Sequence, residues 1–277
     1  MKVIHTVAEM RAARAGAGDL GLVPTMGYLH EGHLSLVRRA KTEGAATAVS
    51  IFVNPTQFGP NEDLGRYPRD LPRDLGLLEA EGVDLVFVPD AAEMYPPDFD
   101  ARIEIGGVTE VLEGAVRPGH FAGVATVVAK LFNIVQPTRA YFGQKDAQQS
   151  VVIRKLVRDL DLPVEVIVAP TVREADGLAL SSRNSYLTPD QRAAAPAIYR
   201  ALSAARDRFA GGERDAEALR EAMRAVIAAE PQMRIDYVSV ADAQTLRELA
   251  AVQGQALASM AVRLGTTRLI DNLVLSA

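Results

Sequence analysis

Two rhythms of hydrophobic and polar residues divide the chain, and the change between them falls near residue 173. In the first part, short apolar runs at residues 2–4, 20–23, 46–53, 83–89, 139–142 and 164–168 read as strands. The run at 46–53 is rich in Val and Ile without polar alternation, as in a strand covered on both faces of a parallel sheet. Between the runs, apolar positions recur every three or four residues, as on the buried face of a helix. Helices are predicted over 6–14, with Val7, Met10 and Arg11 along one side, and from residue 34, with Leu34, Val37 and Ala40. A third covers 70–81, with Leu71, Leu75 and Leu78 inward and Pro72 tolerated in its first turn. An apolar helix follows at 124–135, and another runs to about residue 159 with Val152, Leu156 and Leu160 inward. Residues 91–119 follow neither rhythm. They hold Pro96-Pro97 and Gly106-Gly107, with a strand predicted at 102–105, and read as an insertion.

Beyond residue 173 the helices come first. Thr188-Pro-Asp-Gln191 is a capping box with proline at the first helical position, and predicts a long helix to about residue 209. Gly211-Gly212 breaks it, and a second helix covers 215–230 before Pro231. Strands are predicted at 234–240, 256–264 and 268–275, with a helix near 245–250. The pattern is that of an α/β protein, with a Rossmann-like parallel sheet in an N-terminal domain, residues 1–172, and a smaller α+β C-terminal domain, residues 173–277.

The stretch with the most chemistry joins the strand at 20–23 to the helix after it: Val23-Pro-Thr-Met-Gly-Tyr-Leu-His-Glu-Gly-His33. A strand, a turn holding Gly27 and Gly32, and a helix N-terminus leave unpaired backbone N–H groups and partial positive charge, a ready anion site. His30 and His33 stand at its mouth, three residues apart. Three readings compete there: a zinc site, two solvated histidines, and a phosphate site served by imidazolium and backbone donors. Zinc fits poorly, because the metalloprotease pattern is His-Glu-x-x-His and no cysteine is present to complete a set.

Three further loops carry polar groups. The turn-rich loop at 54–63 follows a buried strand, where α/β proteins bind ligands, so Gln57 is a candidate contact, although most loop glutamines are solvated. A second strand–Gly–helix junction carries Lys145, a point charge suited to a phosphate or carboxylate, and Asp146, equally readable as a helix cap. Ser181, Ser182 and Arg183 lie on a Gly-containing loop at 171–184 that either wraps a triphosphate or links two domains in solvent. Lys130, embedded in an apolar helix, reads as snorkelling to the surface.

Composition narrows the field. A chain of 277 residues with 48% hydrophobic and 23% charged residues is an ordinary soluble protein, near the size at which one core stops growing. Its net charge of −5 argues against nucleic acid as a partner, tRNA included. The absence of cysteine excludes disulfides and thiolate nucleophiles. No apolar run reaches about 18 residues and residues 1–14 carry no signal-peptide core, so the expectation is a cytoplasmic protein with no membrane partner.

The His-x-Gly-His signature resembles that of the class I aminoacyl-tRNA synthetase and nucleotidylyltransferase superfamily, whose members place ATP phosphates on this helix N-terminus. Taken with Phe-Val-Asn-Pro-Thr-Gln-Phe-Gly, Gly-Gln-Lys-Asp-Ala-Gln-Gln and Asp-Gly-Leu-Ala-Leu-Ser-Ser-Arg-Asn, the chain resembles the pantothenate synthetase, or pantoate–β-alanine ligase, family. The ending Arg-Leu-Gly-Thr-Thr-Arg-Leu-Ile-Asp-Asn-Leu matches that family's closing strands. The resemblance implies a two-step ligation, in which pantoate attacks ATP to give pantoyl adenylate and pyrophosphate, and β-alanine then displaces AMP. It implies an ATP site at Met26, Gly27, Tyr28, Leu29, His30, Glu31, Gly32 and His33, at Gly143, Gln144, Lys145 and Asp146, and at Val172, Leu180, Ser181, Ser182 and Arg183. His33 matches the proton donor, His30 joins it on the phosphates, and Lys145 and Arg183 neutralise charge with the two serines. Gln57 matches a contact to pantoate and β-alanine, and Gln149 one to pantoate. Mg2+ bridging the phosphates is implied, with Asp74 a candidate ligand, and so are a homodimer and a smaller domain that acts as a lid. Three positions depart from the family: Gln144 stands for a common Glu, Ala147 for a common Tyr, and Tyr28 is bulkier than usual. The rivals are a nucleotidylyltransferase acting on a phosphorylated acceptor, and a non-catalytic nucleotide-binding module on the same fold.

Overall fold

Parallel strands cannot be joined by tight hairpins, so each must be followed by a crossover, and in the first part of this chain the crossovers are helical. The structure, a computed structural model, describes residues 1–44, 46–60 and 62–276; of the predicted 54–63 loop, Asn61 therefore lies outside the described residues. The order is β1 (Lys2–Ile4), α1 (Val7–Ala15), β2 (Leu20–Thr25), α2 (Glu31–Thr42), β3 (Ala46–Ile51), α3 (Leu71–Ala80) and β4 (Leu85–Phe87). Two short helices, α4 (Ala91–Met94) and α5 (Glu113–Val116), precede α6 (His120–Val135), β5 (Arg139–Gly143), α7 (Ala147–Asp159) and β6 (Glu165–Ala169). Among the described residues these strands form one sheet, ordered β1-β4-β3-β2-β5-β6, with every neighbouring pair parallel. Leu20, Leu22 and Val23 of the central β2 are fully buried. From β2 the chain moves out to β3 on one side, and from β5 it moves out to β6 on the other. The carboxyl ends of β2 and β5 are thus the switch point at which such sheets form their binding crevice.

The second part contains α8 (Pro189–Ala194), α9 (Ala197–Ala210), α10 (Ala216–Ala228), β7 (Met233–Asp242), β8 (Ala256–Leu264) and β9 (Thr267–Leu275). The strands pair antiparallel in the order β7-β8-β9. Ile198 and Leu202 of α9 and Leu219 and Met223 of α10 join Met260 and Leu264 of β8 in one buried cluster. Two compact units result, one comprising residues 1–143 and 148–170, the other residues 144–147 and 171–277. The division falls two residues before the expected boundary. It also assigns the segment 144–147 to the second unit, where Asn272 of β9 bonds its backbone.

Four sequence expectations fail, each for a tertiary or steric reason. No strand forms at 102–105, where the Ile103 N–H donates to Thr126 Oγ1 (3.0 Å) instead of a ladder partner. The single helix predicted from Thr188 is two, because Pro196 offers no N–H and its ring opposes the preceding turn; the capping box itself is present. No helix forms near 245–250. Asp242 holds a turn through Gln244 N and Thr245 N, and Leu249 N returns to Val240 O (3.0 Å). Leu160 is 52% exposed because α7 ends at Asp159, whereas Val152 and Leu156 are buried as expected. Lys130 lies 4.4 Å over the Phe99 ring, and burial lowers its pKa from the ordinary lysine value. No helix among the described residues is long and apolar enough to cross a membrane.

One glycine sets how closely α6 approaches the turn after β3. A Cβ at Gly123 would lie 2.6 Å from the Thr56 carbonyl carbon and 2.7 Å from Gln57 N, both backbone atoms. Gly123→Ala gains roughly 1 kcal/mol in helix propensity, but overpacking costs about 1–3 kcal/mol and backbone cannot swing aside. A lowered midpoint in urea is expected; an unchanged or raised midpoint would mean that α6 and the turn separate freely.

Candidate active site

The loop leaving β2 is built around a buried carboxylate. Thr25 Oγ1 donates to Ser50 O of β3 (2.8 Å) and accepts from Gly27 N (3.2 Å), ending the strand in a turn. Gly27 and Tyr28 then take positive φ values of 80° and 49°, which points successive amides the same way. The N–H groups of Tyr28 and Leu29 donate to Asp74 of α3 at 2.7 and 2.8 Å, and Asp74 is only 1% exposed. A Cβ at residue 27 would meet Asp74 Oδ2 and Ile51 Cγ2 at 3.1 Å, so glycine is required. Arg73 closes the arrangement: Nη1 donates to Leu29 O (3.0 Å) and lies 3.5 Å from Asp74, and its guanidinium stands 5.5 Å over the Tyr28 ring. The bulk of Tyr28 is accommodated by that stacking. Burial raises the pKa of Asp74, while the Leu29 and Tyr28 amides and Arg73 pull it back. Asp74 is the expected candidate magnesium ligand; here both of its oxygens are engaged by backbone amides, so the carboxylate holds the loop.

The two histidines cap their own helix. His30 is the N-cap of α2, and its Nδ1 accepts from Gly32 N (3.2 Å), while Nδ1 of His33 accepts from His30 N (3.3 Å). The ring centroids are 4.1 Å apart. In both rings Nδ1 is thus committed to capping the helix. Glu31, between them, pairs through its side chain with Arg38. Both Nδ1 atoms are engaged, and among the described residues no group of three or more His, Cys, Asp or Glu could hold a metal.

Gln57 lies in a single helical turn, Pro55–Gln57, just after β3. Asn54, 1% exposed, donates through Nδ2 to Gln57 Oε1 (3.0 Å) and to Gly123 O (3.2 Å). The Oδ1 of Asn54 accepts from Tyr95 OH (2.7 Å) and Thr56 Oγ1 (3.0 Å). The amide nitrogen of Gln57 reaches Met26 Sδ at 3.2 Å, which links the loop after β3 to the loop after β2. The carbonyl of Gln57 accepts from His120 Nδ1 (2.8 Å), and Arg117 donates to His120 Nε2 (3.0 Å), fixing the His120 proton on Nδ1. Burial, aided by the Arg117 charge, pushes the His120 pKa down to about 4. Burial raises the pKa of Glu62, but its bonds to Arg117 (2.6 and 2.7 Å) outweigh that and hold it below the ordinary value. Asn54, Tyr95, Arg117 and His120 build the hydrogen-bonded setting of Gln57, and sequence reasoning misses them. The available signal is Arg117-Pro-Gly-His120, a cation and an imidazole three apart at a glycine-marked helix start.

At the end of β5, Gly143 leads to the helix that carries Gln149, half-buried and without a side-chain hydrogen bond among the described residues. Its neighbour Gln148 is buried and structural, bonding Glu113 N, Val108 O and Val111 O.

In the second unit, Gln144, Lys145 and Asp146 form one turn, with Lys145 Nζ 3.8 Å from Asp146 Oδ1. The loop 171–184 is ordered rather than a solvated linker. Leu180 N donates to Val172 O (3.0 Å), and residues 173 and 179 bridge. Ser181 Oγ accepts from Arg183 N (3.3 Å), and Ser182 is buried beside it.

Comparison with known proteins gives the same result from three directions. The profile of the pantoate-beta-alanine ligase family matches residues 2–274. The pantothenate synthetases of a Roseiflexus species and of Chloroflexus aurantiacus are each 67% identical, covering 100% of both chains in the first case and 99% and 98% in the second. The crystal structure of the Thermus thermophilus enzyme covers 100% of both chains at 54% identity and a TM-score of 0.97. That of the Francisella tularensis pantoate-beta-alanine ligase, complexed with beta-gamma ATP and beta-alanine, covers 99% and 97% at 35% identity and a TM-score of 0.81. With relatives this similar over the whole length of both chains, and a family profile spanning nearly every residue, the chain belongs to the pantoate-beta-alanine ligase family.

Proposed function

We propose that the chain joins pantoate to β-alanine with ATP, through a pantoyl adenylate, and releases AMP and pyrophosphate. The observation that carries the reading is the contact between Met26 and Gln57, which sets a phosphate-type helix terminus beside an immobilised neutral amide. A carboxylate does not acylate an amine until one of its oxygens becomes a leaving group. In the first step a pantoate carboxylate oxygen attacks the α-phosphorus of ATP, a new C–O–P linkage forms, and the bond to pyrophosphate breaks. In the second, the β-alanine amine attacks the acyl carbon, AMP leaves, and the amine gives up a proton.

Each assigned side chain has a task in this scheme. Neutral amides at Gln57 and Gln149 hold the hydroxy acid without pairing off the carboxylate that must attack, and Gln57 also contacts β-alanine. The imidazoles of His30 and His33 meet charge growing on the phosphates, with His33 the proton donor. Lys145, Ser181, Ser182 and Arg183 neutralise the departing pyrophosphate. Among the described residues no group of three or more His, Cys, Asp or Glu could hold a metal; the ion fits as a companion of the triphosphate, which keeps most of its own water. No step is routed through it. A homodimer in the cytoplasm belongs to the same reading, and light scattering tests the first part.

Rapid-quench assays should show AMP release that requires both pantoate and β-alanine. Turnover of a phosphorylated acceptor in their place would favour the rival transferase. His33→Ala is expected to slow adenylate formation by about 10²–10³-fold, and an effect confined to the KM for ATP would remove its role in the chemical step.

Asp74→Asn replaces an acceptor by an NH2 group facing two N–H donors. It should lower kcat/KM for ATP by at least about tenfold, without rescue by added magnesium. Restoration by high magnesium would return Asp74 to the metal.

A further inference from the structure

The closing strand β9 carries Ile270-Asp-Asn-Leu273, part of the motif that no step of the ligation uses. Asp271 and Asn272 are only 4% and 3% exposed, in a strand otherwise built to pack. Successive residues of a strand face opposite sides, so the two reach different segments. The Asp271 carboxylate receives both arms of Arg173, Nη1 at 2.5 Å and Nη2 at 3.0 Å. The same guanidinium donates to Gly177 O (3.1 Å) and stacks 4.1 Å from the Tyr199 ring, so it organises the hairpin of the 171–184 loop. Asn272 turns its Nδ2 to the carbonyls of Gln144 and Lys145, both at 2.9 Å, and its Oδ1 accepts from Gln144 Nε2 at 2.9 Å. That last bond needs glutamine at 144, since a glutamate cannot donate it.

We infer that Asn272 and Asp271 are positioning residues for the nucleotide. Asn272 fixes the backbone from which Lys145 projects, and Asp271, through Arg173, fixes the loop that carries Ser181, Ser182 and Arg183. The inference rests on the reading of Lys145 and the loop as phosphate-binding. Lys145 is a flexible four-carbon stem, and its ion pair with Asp146 is loose at 3.8 Å. Its aim is therefore set by its backbone, and two bonds from one buried amide, to the Gln144 and Lys145 carbonyls, hold that backbone, while a third ties down the Gln144 side chain. A buried polar group contributes little net stability when its bonds are made, and an apolar residue of similar shape serves packing as well. The retained polarity defines geometry.

The decisive variant is Asn272→Asp. It keeps the size of the side chain but sets a carboxylate oxygen against two carbonyl oxygens. The expected outcome is a fall of at least about tenfold in kcat/KM for ATP, with the KM for pantoate within about twofold of the original. In a Lys145→Ala background the same substitution should have less than about a twofold effect, because the two act as one unit. Asn272→Ala should show a smaller loss of the same pattern, and decides the matter if the melting curve shows that the Asp variant is unfolded. Independent, multiplying effects of the two substitutions would overturn the inference, as would a folded Asn272→Asp with unchanged use of ATP. If the unaltered protein does not ligate, the ligase reading fails separately. The rise in melting temperature with Mg-ATP then carries the test: its loss in Asn272→Asp supports positioning, and its retention refutes it.

Discussion

Two backbone amides bound to one buried carboxylate hold the centre of the first unit. The N–H groups of Tyr28 and Leu29 meet Asp74 where an external anion would otherwise sit in such a turn. A non-glycine residue at positive φ costs on the order of 1–3 kcal/mol, and Tyr28 is one. Hydrogen bonds to a charged group contribute roughly 1.5–3 kcal/mol each, so two of them outweigh that strain and offset part of the burial of Asp74. With the turn fixed, His30 falls at the N-cap of α2, and the imidazole pair follows from the helix geometry. An internal anion thus sets the place at which the terminus can receive another.

The same economy of motion recurs around Gln57, whose side chain and main chain are both held by groups that cannot ionise in the working range. Asn54, Tyr95 and a neutral His120 do this, with Glu62 locking Arg117 from outside. Dipoles oriented in advance stabilise developing charge without reorganising during the reaction.

Where hydrophobic rhythm dictates structure, the sequence is a sufficient guide. The parallel strands, α3 and the closing antiparallel strands are packed against apolar neighbours whose spacing shows in the chain. It misleads where a residue's fate depends on a distant partner. Ile103 bonds Thr126 rather than a strand, and residues 245–250 return to β7 instead of coiling. Pro196 is readable as a break from its missing N–H alone. The proposed functional residues follow the same division. His30, His33, Gln57 and Lys145 sit in compact motifs from which the sequence nominates them. Asn54, Tyr95, Arg117 and His120 meet around Gln57 from separate segments, and it does not nominate them. The two amides that bind Asp74 have no side-chain signature, so its part in holding the loop is not legible.

The most direct measurement of carboxylate activation is exchange of labelled pyrophosphate into ATP, with magnesium present and β-alanine withheld. Exchange that depends on pantoate is expected, because a reversible adenylate forms before the amine is needed. Active, folded protein that exchanges no label with pantoate would contradict the two-step ligation.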